Sequence, residues 1–223
     1  MLAPALLRAL ALAVLAAVSP IDLPPAAPSP GPPCAHVVND LPAVSADLRS
    51  VALVVTGPGP AVYSDFAVLD ADRDVLTDRT TIQEPDGDRN EDLANARLAT
   101  RCFAPIEPLD VDEDPTAPVR EGMMTGPFRN QRVRGHGVVV TFHEPILRVA
   151  DEQGRTLLRR DERRWSKPEA KHCPGCPICA PPLADIGGAW IVERRLLLVR
   201  VVYHGGTDSC WEPGEEYHAI RLR

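Results

Sequence analysis

Short runs of alternating apolar and polar residues separated by turn signals dominate this chain, and they predict strands far more often than helices. Residues 48–56 carry Val51, Leu53 and Val55 at every second position and end at Gly57-Pro58-Gly59-Pro60, the signature of a strand closed by a turn. Residues 61–69 read as a second strand, with a polar turn at 70–74 before Val75-Leu76. Further along, 137–142 reads as a buried strand. Residues 146–150 and 155–158 flank Asp151-Glu152-Gln153-Gly154, a hairpin signal with glycine where positive φ is wanted. Three more strands are expected at 189–192, 196–203 and 217–222. In the last, Ile220 and Leu222 face away from Tyr217, Ala219 and Arg221, the alternation of a half-exposed strand. A single short helix is predicted over 91–101. The architecture this implies is mainly β: an antiparallel β-sandwich or small barrel with long Pro/Asp-rich loops, stapled by disulfides.

The N-terminal pattern is different. Residues 1–8 carry one charge, Arg8, and 9–18 are apolar without a break, followed by small residues up to Ser19. That is the tripartite form of a secretory signal peptide, with an apolar stretch shorter than the roughly 20 residues that span a bilayer. Residues 20–33 hold seven prolines. The domain expectation is therefore a signal peptide at 1–19, a Pro-rich spacer at 20–46 and a single mainly-β domain at 47–223. An irregular acidic insertion at about 78–121 interrupts that domain.

Composition sharpens this. Apolar residues make up 44% of the chain, enough for a core, while aromatics are only 4%. Proline numbers 24, about twice the usual share of ~5%. The net charge of −7 divides unevenly: residues 1–121 carry 8 basic and 19 acidic side chains, leaving 16 basic and 12 acidic in 122–223. A net-acidic exported chain argues against nucleic acid as partner. The basic excess of the second half fits either an anion-binding surface or one side of a solvated domain.

Six cysteines (Cys34, Cys102, Cys173, Cys176, Cys179, Cys210) in an oxidising compartment predict disulfides, with 15 connectivities open. The densest local feature is His172-Cys173-Pro174-Gly175-Cys176-Pro177-Ile178-Cys179. Thiols two residues apart with an imidazole beside the first are able to converge on zinc, with Cys210 as a substitute fourth ligand. The Cys173-Pro174-Gly175-Cys176 stretch also resembles a thioredoxin-type redox motif, although Pro177, Pro181 and Pro182 disfavour the helix such a motif caps. A staple between this loop and Cys210 is the leading expectation.

Acidic triplets stand at Asp70-x-Asp72-x-Asp74, Asp86-x-Asp88-x-Asn90 and Asp110-x-Asp112-x-Asp114. Oxygens at positions 1, 3 and 5 begin a calcium loop, which makes Asp70, Asp72 and Asp74 calcium candidates. The glycine and glutamate that complete an EF-hand are missing. Residues 201–206 resemble the His-Gly-Gly oxyanion turn of α/β-hydrolases, but no G-x-S-x-G elbow occurs in the chain. The pattern Val54-Val55-Thr56 leading to Leu69-Asp70 returns as Val139-Val140-Thr141 leading to Ala150-Asp151. This echo is either a duplicated strand-plus-hairpin unit or chance similarity between antiparallel strands.

No assembled catalytic constellation is visible. The functional expectation is an exported, disulfide-stabilised β domain with a binding or structural role at the cell envelope or outside the cell, with a ligand there and no membrane span. The alternative is an exported metal-binding or thiol-redox protein using His172, Cys173, Cys176 and Cys179.

Overall fold

The computed structural model describes residues 34–35, 37–56, 64–83, 90–122, 126–165, 183–204 and 215–222. A 3₁₀ turn at Val38–Asp40 leads into four successive antiparallel strands. These are β1 (Ala43–Ser45), β2 (Ser50–Thr56), β3 (Ser64–Asp70) and β4 (Val75–Gln83). Helix α1 (Glu91–Leu98) is N-capped by the Asn90 side chain accepting from Asp92 N–H, and β5 (Phe103–Pro105) then returns to pair with β1. Next come β6 (Asp110–Glu113) and the separate ribbon of β7 (Val119–Gly122) with β8 (Gly126–Arg129). A second meander runs β9 (Gln131–Gly135), β10 (Val138–His143), β11 (Ile146–Asp151) and β12 (Thr156–Asp161), followed by a 3₁₀ turn at Arg163–Trp165. The chain closes with β13 (Leu183–Val192), β14 (Leu196–His204) and β15 (Glu215–Arg221).

These strands form a mainly β, sandwich-like body with antiparallel sheets, as the alternation predicts. The first sheet has the order β4-β3-β2-β1-β5 and the second β12-β11-β10-β9-β6, while β13-β14-β15 make a third. The two five-stranded sheets are alike: each is a four-strand meander with one further strand added beside the meander's first. The sequence echo falls on equivalent places in the two, on β2–β3 in one and β10–β11 in the other.

The three-stranded sheet lies between the other two and is buried on both faces. Leu197, Val199, Val201 and Ile220 pack with Val133, Val140, Phe142, Leu147 and Trp165 of the second meander. Leu196, Leu198, Ala219 and Trp190 pack the opposite way, with Val51, Leu53, Ala67 and Leu69 of the first. This is why 196–199 reads Leu-Leu-Leu-Val without alternation: a strand covered on both sides has no polar face to declare. It also corrects the expectation that β15 is half-exposed. Its polar-looking face carries Tyr217 and Ala219 into a core, and Ala219 is buried. A fourth layer covers the first sheet, where Val38, Ala94 and Leu98 pack on Phe66, Val68 and Phe103.

Strand β13 keeps its apolar residues on the correct side by a bulge. Its register shifts between Ile186 and Gly188, so Ala184 and Ile186 face the same core as Ala189 and Ile191. Only glycine fits there: a Cβ on Gly187 would lie 2.5 Å from Val202 Cγ1.

The folded body begins earlier than the sequence suggests. Residues assigned to the spacer supply β1, and Ala35, Val38, Ala43 and Val44 are all buried. Cys34 is bonded to Cys102, 68 residues away, and Ala35 N–H donates to Phe103 O at 2.6 Å, so this N-terminal arm is fixed to β5. The acidic insertion likewise contributes α1, β5 and β6 to the layers, and β7 to the separate ribbon. Among the described residues, no helix is long and apolar enough to cross a membrane.

Candidate functional site

A cleft of about 310 Å³ opens between the N-terminal arm, β2 and the β14–β15 pair. Val38, Leu41 and Pro42 line it from the arm, Leu53 and Thr56 from β2, and Arg200, Glu215 and Tyr217 from the central sheet. Its polar groups are anchored. Arg200 Nη2 donates to Gly187 O at 2.7 Å, the bulge carbonyl, and Nη1 lies 3.6 Å from Glu215. Glu215 Oε1 in turn accepts Thr56 N–H at 3.2 Å, and Trp190 packs tilted against the Tyr217 ring at 6.1 Å. Burial, with the Glu215 charge beside it, pushes the Tyr217 hydroxyl up to about 12, so it remains a neutral donor. Arg200 Nε is buried without a hydrogen-bond partner. The arrangement offers a guanidinium, a carboxylate and a phenol around an apolar lip. That chemistry suits a small polar ligand held by fixed groups.

A second cluster joins all three sheets around His218. Its Nδ1 stands 3.1 Å from Asp74 Oδ2, and its Nε2 faces Glu216 Oε2 at 3.6 Å, an ion-pair separation longer than a hydrogen bond. Trp165 stacks on the imidazole with ring centroids 4.3 Å apart. Asp74 sits in the β3–β4 turn, where its Oδ1 accepts Ala219 N–H at 2.7 Å and its Oδ2 also meets Arg164 at 2.9 Å. Tyr203 OH donates to Glu216 at 2.8 Å.

The titrations run in one direction. Burial would raise the Asp74 carboxyl, but His218, the Ala219 N–H and Arg164 outweigh it and hold it below its ordinary value. Contact with His218 likewise holds Glu216 low against burial. Burial opposes charge on His218, yet the two carboxylates win and raise it. All three groups are driven toward their ionised forms, which fastens a junction. A general base works best when its pKa lies near the ambient pH, and none of these shifts moves a carboxylate that way.

Two further ionisable groups lie along the second sheet. Asp114 accepts from Thr116 Oγ1 at 2.6 Å and Thr116 N–H at 2.9 Å, and pairs with His143 Nε2 at 2.8 Å. These contacts overcome burial and lower it. Asp185, at the start of β13, takes Gln131 N–H at 2.9 Å and Ile186 N–H at 2.7 Å. Burial nevertheless pushes it up to about 6. It is the carboxyl closest to a working pKa, but it is 1% exposed.

The calcium candidates are engaged by the protein's own cations. Asp72 binds Arg49 at 2.9 Å and Arg221 at 2.7 Å, Asp74 serves the His218 junction, and Asp70 Oδ1 accepts the N–H groups of Asp72 and Arg73. Among the described residues no group of three or more His, Cys, Asp or Glu is placed to hold a metal ion. Of the cysteines, Cys34 and Cys102 are joined. Cys173, Cys176, Cys179, Cys210 and His172 lie outside the described residues, as do Asp86 and Asp88.

Sequence reading missed the cleft and the His218 junction. Asp74 and His218 are 144 residues apart, and only the β3–β4 turn lying against the β15 edge brings them together. No family model, curated protein or solved structure matches this chain.

Proposed function

We propose that this chain is an exported, disulfide-stabilised β domain with a binding or structural role at the cell envelope or outside the cell. One observation carries the reading: the cleft wall is the N-terminal arm, and that arm is tied to β5 by the Cys34–Cys102 bridge. A structural disulfide persists in an oxidising compartment, and here it supports a recessed polar site. The fixed ion pairs of Arg200 and of His218 suit holding a ligand or a partner rather than moving protons. The signal-like residues 1–19 give the route out.

The test is to express the full chain with its own N-terminus, fractionate the cells and medium, and take intact masses after alkylation without reduction. The expected product lies outside the cytoplasm, lacks the first ~19 residues, has lost two hydrogens per cysteine pair and takes up no label. A cytoplasmic product that begins at Met1 and labels at its thiols would refute the proposal. A metal lost together with thiol protection would move the reading to the His172, Cys173, Cys176 and Cys179 cluster.

A further inference from the structure

The outward face of the second sheet carries a row of guanidinium groups that its own acids do not neutralise. Inward positions of this sheet are set by Val133, Val140, Phe142, Leu147 and Val149. The opposite face therefore presents Arg132 and Arg134 of β9, Val139 and Thr141 of β10, Arg148 of β11 and Arg159 of β12. Register aligns them: Arg159 stands opposite Arg148, Arg148 opposite Thr141, and Thr141 opposite Arg132. At ~4.8 Å per strand the row is about 14 Å long.

Like charges directly opposite on neighbouring strands destabilise a sheet. Arg148 and Arg159 nonetheless form such a pair. Arg148 is positioned by neutral acceptors, Thr156 Oγ1 at 3.0 Å and Gly154 O at 2.6 Å, while Arg159 and Arg132 have no carboxylate partner among the described residues. Arg132 Nε is buried and unpaired. Arg134 alone is matched, by Asp112.

We propose that this face binds a linear anionic polysaccharide through its carboxylates. Guanidinium forks suit carboxylates geometrically, and a straight row of them suits an extended chain. Thr141 supplies a hydroxyl within the row, and Val139, opposite Arg134, a small apolar contact beside it. Asp110 and Asp112 on β6 border the strip, opposite Arg134 and Arg132. Asp112 is the next position of the row on β6, so a single chain lying across Arg159, Arg148, Thr141 and Arg132 ends at β9, whereas a broad anionic membrane plane laid on the sheet would press on both carboxylates. The site is separate from the cleft. It depends on the proposed export only because such polymers lie outside the cell, so binding and secretion fail independently.

The experiment measures binding of the purified mature protein to polygalacturonate, with dextran as the uncharged control. Vesicles of equal parts phosphatidylcholine and phosphatidylglycerol represent the membrane alternative. Wild type should bind polygalacturonate, weaken with added salt and ignore dextran. Arg159→Glu should bind on the order of tenfold more weakly while melting no lower than wild type, since it replaces a like-charge pair by an ion pair with Arg148. Arg101→Glu, which makes the same charge change beyond the far sheet, should bind as wild type. No binding at low salt, undiminished binding by Arg159→Glu, equal loss in Arg101→Glu, or binding to vesicles alone would each overturn the proposal.

Discussion

The Cys34–Cys102 bridge makes the stability of the whole body measurable from its N-terminal arm. The bridge closes a loop with a sequence separation of 68. Cross-linking such a loop removes unfolded-state entropy worth about 4 kcal/mol at room temperature. That is a large share of the roughly 5–15 kcal/mol by which domains are stable. The paired substitution Cys34→Ala/Cys102→Ala removes this bridge alone and leaves the other four cysteines as they were. It should lower urea-unfolding stability by about 4 kcal/mol and the melting temperature by roughly 10 °C for a body of this size. The arm contributes Ala35, Val38, Ala43 and Val44 to two core clusters, so the variant should still fold, with the arm less firmly held. Circular dichroism and tryptophan fluorescence in parallel urea titrations provide the assay. A loss below about 1 kcal/mol would mean that the bridge does not close this loop in the native state. The arm, and with it the cleft wall, would then be held to the sheet by something other than this bond.

Other consequences can be measured independently. His218 is raised above its ordinary 6.5, so its ion pairs stabilise fully below that pH and fade as pH rises through the raised value. Asp74 is lowered from 3.8, so its share is present above that pH and is lost as pH falls through the lowered value. Stability measured by unfolding should therefore peak between the two, and His218→Gln should cost about 3 kcal/mol near the peak and distinctly less in alkali; an equal cost at both would refute the junction's charge state. Gly187→Ala should cost roughly 1–3 kcal/mol because its Cβ meets Val202 Cγ1 at 2.5 Å, and a neutral result would mean the bulge relaxes. Leu198→Ala, inside the doubly covered sheet, should cost about 3 kcal/mol. Leu157→Ala, at an exposed position, should stay within about 0.5 kcal/mol. Similar values for the two would deny that the third sheet is a central layer.

Elements with a clean contrast of faces were legible in the sequence. The β10–β11–β12 hairpins and the glycine turn at Gly154, whose φ is +82°, were written in alternation and turn residues, and β2 showed through its larger Val51, Leu53 and Val55 face although Ala52 on the other face is buried too. Helix α1 was legible too, although the structure ends it at Leu98. Strands β6 and β9 were not, because their outward positions are Asp110, Asp112, Arg132 and Arg134 and only Val133 is fully buried, so no apolar alternation marks them. The central sheet was legible as strands but not as a layer: an uninterrupted apolar run says that both faces are covered, and nothing local says by what. The cleft and the His218 junction were illegible for a simpler reason. Their members come from β2, the β3–β4 turn, β14 and β15, and no spacing rule spans such distances. Asp70, Asp72 and Asp74 stood out in the sequence as an alternating acidic triplet; Asp72 and Asp74 meet arginines, a histidine and a backbone N–H from remote parts of the chain, while Asp70 accepts the neighbouring N–H groups of Asp72 and Arg73.

The layer order has a consequence for how the chain comes into being. Both meanders complete their inner faces against strands that are synthesised last, β13 to β15. Until those C-terminal residues emerge, the inner apolar face of each meander stays uncovered, although the outer face of the first is already closed by Val38, Ala94 and Leu98. Most multi-element chains begin to fold from the N-terminus during synthesis. This one has its common wall at the other end, so a polypeptide cut short before β13 should remain sticky along the inner faces of both meanders. The same order leaves the inner faces of both meanders open until the tail is free, so release of the tail decides when the body closes.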